Sequence, residues 1–335
     1  MIPAADLAHC RAAIRTGSRS FFAASHLLPA RVRDPALALY TFCRLADDAV
    51  DLHREKAQAV AALRDRLELA YAKTPRDAPA DRAFAAMISD HEMPRELPEA
   101  LLEGLAWDAA GRDYETLSDV RAYSARVAAA VGAMMTVLMG VRDADALARA
   151  CDLGVAMQLT NIARDVGEDA VEGRLYLPRQ MMEDEGLDPD DFLAAPKPSA
   201  ALGRVTRRLL REAQRLYHRS EPGISALPLS CRPGIFAARH IYDGIGQQVR
   251  RNQYDSFSQR ARTNKWQKTA WLMQSVLRTG VTCAMPQSAV LFAAPLPEVE
   301  FLVTAAAIDQ DRRQPRAAAV IDVFAQLEAR DRLGA

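Results

Sequence analysis

Asp47 and Asp51, and again Asp165 and Asp169, place carboxylates four residues apart in helix-forming surroundings. The first pair lies in Phe42-Cys43-Arg44-Leu45-Ala46-Asp47-Asp48-Ala49-Val50-Asp51, the second in Gln158-Leu159-Thr160-Asn161-Ile162-Ala163-Arg164-Asp165-Val166-Gly167-Glu168-Asp169. At that spacing two side chains stand one above the other on one helix face, so their charges repel. At about 6 Å the repulsion is roughly 3 kcal/mol at an effective dielectric of 20 and under about 1 kcal/mol in water. Alone, one such pair also fits an exposed helix. Two pairs, each beside Phe, Leu or Val and each accompanied by Arg, point to a cavity in which carboxylates share a cation. Carboxylate oxygens are hard ligands and suit Mg²⁺ bridging to substrate phosphates better than zinc or copper. Arg44 and Arg164 then read as grips on phosphate oxygens, with plain surface charge as the alternative.

Other chemistries find no foothold. The chain has no Gly-rich strand-to-helix loop, no Walker lysine and no Ser-His-Asp or Cys-His pattern. Its six histidines are dispersed, and five scattered cysteines (Cys10, Cys43, Cys151, Cys231, Cys283) lack zinc or redox spacing, which fits a reducing cytoplasm. Lys plus Arg equals Asp plus Glu, 43 each, so no global field recruits nucleic acid. No secretory signal is visible at the N-terminus, and the charge-poor run from Val127 to Val141 would rise about 22 Å as a helix, short of a hydrocarbon core of about 30 Å. It reads as a buried helix.

The elements that must carry these residues are helical almost throughout. Apolar spacing predicts a helix after the breakers Pro29 and Pro35, through Leu37, Tyr40 and Leu45 to Asp51; others carry Leu63 to Tyr71, Pro79 onward, and Leu101 to Trp107. From Ser118 the pattern is apolar all round to Leu138, as in the middle of a bundle. The next helix, about Ala144 to Asp169, carries Gly154, Gln158, Asn161, Asp165 and Asp169 on one stripe, which is expected to line a cavity. Leu187 to Ser199 reads as a surface connection. The helix from Arg204 to Arg219 has an apolar face and an Arg-rich remainder, read as solvated, with anionic lipid as the alternative. A long helix follows Pro233 to Tyr254. The stretch after Gly280 is poorly legible, with a terminal helix expected from Pro315. The expected organisation is one all-α domain over 1–335, with residues 281–335 of unassigned role.

Together with Ser18-Arg19-Ser20-Phe21, Tyr40-Thr41-Phe42-Cys43-Arg44 and Gly173-Arg174-Leu175-Tyr176-Leu177-Pro178, the two acidic blocks resemble the squalene and phytoene synthase family, the head-to-head trans-isoprenyl diphosphate synthases. The likeness spans about Ser18 to Tyr254. It implies an all-α, single-domain prenyl (terpenoid) synthase fold whose central cavity lies between the two acidic helices. By position, Asp47, Asp51, Asp165, Asp169 and Asn161 would hold Mg²⁺, with Mn²⁺ a substitute and no NADPH. Asp48 and Glu168 would be auxiliary. Ser18, Ser20, Arg44, Gln158, Asn161, Arg164, Arg174 and Tyr176 would contact the prenyl diphosphate, and Tyr242 would sit near the reacting carbocation.

The implied reaction is head-to-head condensation through a cyclopropyl diphosphate. Small residues at Ser25 and Leu37, where relatives that use C15 chains tend to have aromatics, favour two C20 geranylgeranyl diphosphates and phytoene, hence carotenoid biosynthesis. Alternatives are squalene or dehydrosqualene synthesis from farnesyl diphosphate, and a non-enzymatic helical assembly factor of the same superfamily. The resemblance also implies a cytoplasmic enzyme in transient contact with the inner membrane face, handing product to a carotenoid desaturase. Two departures stand out. Ser124-Ala125 replaces a Cys-Tyr common in relatives, and the segment from His240 to Gly246 is rich in glycine.

Overall fold

The computed structural model describes residues 2–17, 22, 24–52, 56–284 and 288–308, with the side chains of residues 47, 50–52, 265 and 284 outside that description. Every regular element among these residues is helical, as the apolar periodicity predicts. The helices are α1 (Ala4–Gly17), α2 (Ala30–Leu52), α3 (Lys56–Tyr71), α4 (Pro79–His91), α5 (Glu96–Ala109), α6 (Leu117–Ser124), α7 (Ala130–Leu138) and α8 (Ala144–Val171). They continue with α9 (Arg179–Glu183), α10 (Pro189–Ala194), α11 (Ala200–Ala226), α12 (Arg232–Arg251), α13 (Lys265–Ala284) and α14 (Glu300–Ala306).

Sequence and structure part company in four places. Pro35 lies inside α2 instead of opening it. Its missing N–H falls near the start, where Ala36, Leu37, Ala38 and Leu39 are buried and their packing offsets one lost bond. The connection from Leu187 to Ser199 contains α10, whose start is capped by the Asp188 side chain accepting from the Asp190 and Asp191 N–H groups. Helix α13 was not apparent in the sequence. The run from Ser118 to Leu138 is interrupted by a π turn over Ala125–Ala129, one residue wider than an α turn. Arg126 on that turn lies 4.1 Å from the Trp107 ring centre and 2.9 Å from Glu103, while Val127 and Ala128 face inward.

Helix α8 is the spine, packed against α6, α7, α11, α12 and α14. Gly154 is what lets it approach the π turn: a Cβ there would lie 2.6 Å from the Ala129 Cα and 2.8 Å from the Ala128 carbonyl oxygen. Elsewhere the core closes through aromatic stacking, as between Phe42 of α2 and Phe84 of α4 at 3.8 Å. The Arg-rich face of α11 is largely ion-paired: Arg204 with Glu185, Arg208 with Asp184, Arg215 with Glu212 and Arg219 with Asp152. That pairing favours the solvated reading over the lipid one.

Residues 288–308, unassigned from sequence, form a strap over the end of α8 remote from the acidic pair. The fully buried Arg149 donates to the carbonyls of Val290 and Leu291 at 2.7 and 3.3 Å, and Arg142 to that of Ala306 at 3.3 Å. Asp152, also fully buried, lies 2.8 Å from both Arg149 Nε and Arg219 Nε. Burial pushes the Asp152 carboxyl above its usual range and the two guanidiniums pull it back. Removing one member of such a cluster leaves uncompensated buried charge. Asp152→Ala is therefore expected to lower unfolding free energy by about 3–5 kcal/mol, read in urea melts; a loss no larger than that of a surface substitution would contradict this role.

His240 on α12 supplies a pH signature. Burial, with Arg239 and Arg278 adding to it and Glu221 opposing, holds the imidazole down to about 4. The unfolded chain takes up this proton near pH 6.5, the folded chain only near 4, so stability falls as pH drops through that window. The loss is expected to reach about 3 kcal/mol by pH 4. In the stability profile of wild type minus His240→Gln, that slope should appear between pH 6.5 and 4; a flat difference would refute it.

Candidate active site

The inward face of α8 carries Ala146, Ala150, Gly154, Gln158 and Asn161 in successive turns, all lining one cavity of about 330 Å³. Its other walls come from Ala36, Leu39, Tyr40 and Cys43 of α2, Val127, Val131 and Met135 around the π turn, and Ile235, Ala238 and Tyr242 of α12. The lining toward Ala146 and Met139 is mostly apolar, with the buried Arg149 and Thr136 among it, and it is polar toward Asn161 and Tyr242. From Ala146 to Asn161 the helix rises about 22 Å. A long apolar chain can therefore lie along α8 with a polar head at Asn161.

Beyond that head, the helix ends in the acidic pair. Asn161 Nδ2 donates to Gln158 Oε1 at 3.2 Å, so the two amides act as one unit. Asp165 accepts from Arg164 Nε at 2.8 Å and from Arg260 Nε at 3.0 Å, and the second nitrogen of the Arg164 fork is also on it. Arg260 reaches Glu168 as well, at 2.9 Å. Asp169 lies deeper. Burial, then the charge of Asp165, pushes its carboxyl up to about 7, with Arg174 pulling the other way. Tyr242, on the cavity wall, has its hydroxyl pKa raised by burial, while the neighbouring Arg164 lowers it and Asp165 raises it. A group of oxygen donors with one carboxylate held against ionisation is chemically suited to a hard cation. Among the described residues, no three acidic, His or Cys side chains by themselves form an ion site.

On α2 the cavity stripe is Ala36, Tyr40 and Cys43, and continuing the helical period brings positions 47 and 51 toward the same face. The Asp47 and Asp51 side chains, like Ser18 and Ser20, lie outside the described residues. Arg44 is off that stripe, half-exposed, and paired with Asp48 at 2.6 Å. Arg174 follows the turn at Gly173, where φ is +72°, and its backbone N–H donates to the Asp169 carbonyl at 2.8 Å. Of the two residues expected to set pocket depth, Ser25 lines the cavity and Leu37 does not; Leu37 is buried on the other face of α2. Tyr176 is also away from the cavity lining. Its hydroxyl is donated to Asp108 at 2.9 Å, and Tyr123 donates to the same carboxylate at 2.9 Å within a stack that includes Tyr114.

Arg260 escaped the sequence reading because it lies past the last recognisable block. It is brought in by a loop that docks on α8, where the Gly167 N–H donates to the Ser256 carbonyl at 3.2 Å. The Arg-x-Arg pair Arg260 and Arg262, next to a helix-opening Lys265, was the available signal.

Known proteins sharpen the picture. A family model described as squalene/phytoene synthase matches residues 14–267. The chain is 62% identical to a phytoene synthase of Cereibacter sphaeroides, over 99% of this chain and 96% of that protein. It is 58% identical to a phytoene synthase of Rhodobacter capsulatus, over 99% and 98%. Among solved structures, a ligand-bound dehydrosqualene synthase superimposes with a TM-score of 0.76 at 30% identity, covering 82% of this chain and 97% of that one. The chain thus belongs to the squalene/phytoene synthase family, prenyltransferases that join two prenyl diphosphates head to head.

Proposed function

We propose that the chain condenses two molecules of geranylgeranyl diphosphate, through a cyclopropyl diphosphate, to phytoene, with release of two diphosphates. The observation that carries this reading is the cavity along α8, which runs about 22 Å from a mostly apolar end at Ala146 to Asn161 beside the acidic pair. Ser25 leaves room in that cavity where an aromatic would shorten it. The likeness to phytoene synthases over nearly the whole chain supports the C20 substrate.

Asp165, Asp169 and Asn161, with Asp47 and Asp51 from α2, would hold Mg²⁺, which when bound supplies charge neutralisation for the departing diphosphate. The protein's own residues do the rest. Arg164, Arg260 and Arg174 gather at the same end of α8 and complement the negative charge that builds on the leaving oxygens. Breaking the carbon–oxygen bond of the first substrate leaves an allylic cation, which the double bond of the second attacks. Loss of a proton closes the cyclopropane. Departure of the second diphosphate drives rearrangement, and a final proton loss gives the linear hydrocarbon. Val127, Val131, Met135 and Ile235 exclude water from these cations, and Tyr242 turns an aromatic ring toward the same space. We place the enzyme in the cytoplasm, in peripheral contact with the membrane that accepts its product and passes it to a carotenoid desaturase.

Incubation with Mg²⁺ and either C15 or C20 diphosphate, with and without NADPH, should yield phytoene from C20; dominance of squalene or dehydrosqualene would overturn the assignment. Asp165→Asn should cut kcat by roughly a hundredfold or more. Asp169→Asn should do likewise while leaving thermal stability unchanged or higher, because it removes one of two like charges one turn apart. Wild-type turnover in either variant would remove these residues from the site.

A further inference from the structure

Helix α13 is built inside out. Its inward face presents Ser275 and Thr279, both buried, with Thr282 and the Trp271 ring, while Trp266, Met273, Val276, Leu277 and Val281 point outward. Trp266 is 84% exposed and Leu277 71%. These outward positions recur at three and four residues and form one stripe. The buried hydroxyls tolerate their position because they bond their own helix: Ser275 Oγ donates to the Trp271 carbonyl at 2.6 Å and Thr279 Oγ1 to the Ser275 carbonyl at 2.8 Å. The helix is nonetheless firmly seated. The Trp271 ring fills the place a Cβ on Gly244 of α12 would take, Arg232 donates to Thr282 at 3.0 Å, and Arg278 pairs with Glu221 of α11 at 3.2 Å.

Charge marks what such a face suits. From Ser256 to Pro297 the chain contains no Asp or Glu, yet carries Arg260, Arg262, Lys265, Lys268 and Arg278. Arg260 and Arg278 also answer carboxylates of the protein body, and Arg262 precedes α13 close to Trp266 in the chain. A second copy docking symmetrically on this face would bring those cations against their own duplicates. Anionic headgroups complement them instead, and an apolar stripe with Trp at one end and cations around it is the pattern of a helix lying in a bilayer interface.

We propose that α13 is the membrane-docking face of this enzyme, seated on a bilayer bearing anionic lipid with Trp266, Met273, Leu277 and Val281 in the interfacial layer. This rests on the product being a long hydrocarbon, as read above, and gives that product a route. The seat of α13 is α12, and α12 contributes Ile235, Ala238 and Tyr242 to the cavity wall. The pair α12 and α13 therefore separates the reaction chamber from the lipid.

The test is flotation of the full chain with vesicles of phosphatidylcholine alone or mixed with phosphatidylglycerol, comparing wild type with Met273→Glu/Leu277→Glu and the milder Met273→Ala/Leu277→Ala. Wild type should float with the anionic vesicles, the Glu variant at least roughly tenfold less and the Ala variant in between, with unchanged circular dichroism. Equal flotation of all three, or none by the wild type, would overturn the proposal, as would a wild-type dimer that the Glu variant dissolves. Product formation from C20 diphosphate in detergent, read separately, should be alike in wild type and variants. Its absence in all of them alongside lost flotation by the Glu variant would count against the condensation and leave the docking face standing.

Discussion

Two carboxylates one turn apart at the end of a largely buried helix must be neutralised, and much of the molecule is arranged around that requirement. Arg164 comes from the same helix and Arg260 from a loop nearly a hundred residues later, and both converge on Asp165. Asp169 receives less help and is held toward its neutral form, chiefly by burial and then by Asp165. Among the described residues, Arg164, Arg260 and Arg174 offset this acidic end only in part. The proposed Mg²⁺ would add positive charge at this end, where the diphosphate of a prenyl substrate would arrive.

The same helix carries the opposite demand a few turns away. Toward Ala146 its inward face combines the small Ala146, Ala150 and Gly154 with Leu153 and the buried Arg149, and the facing walls are mostly Met, Val and Leu. Close helix contact at Gly154 fixes the spine against the π turn, and the Arg149–Asp152–Arg219 cluster fixes its far end to the strap. Polar chemistry and apolar containment are therefore set by one rigid element, so head and tail of a bound chain share a common reference frame.

How much of this the sequence disclosed follows from the range of each signal. That Asp165, Asp169, Asn161 and Gln158 share one helix was legible, because the helical period converts spacing into direction. The helical fold was legible for the same reason. Arg260 was not, since its approach depends on a loop docking against Gly167. Tyr176 was misdirected by its neighbours in sequence: its hydroxyl is satisfied by Asp108, a partner from another helix. Leu37 sits one helix face away from where pocket depth is decided. Helix α13 escaped because its polarity is inverted, so the usual equation of apolar with inward gives no consistent pattern.

The π turn at Ala125–Ala129 makes cavity shape partly a matter of counting. One extra residue in a helical turn rotates everything that follows by about 100° relative to an uninterrupted helix. Val131, Met135 and Met139, all downstream, owe their inward direction to that offset as much as to their own identities. Relatives that lose or shift the extra residue would present a different set of side chains to the prenyl chain without changing any of them. Insertion register is thereby a route to new product specificity that leaves the acidic end untouched.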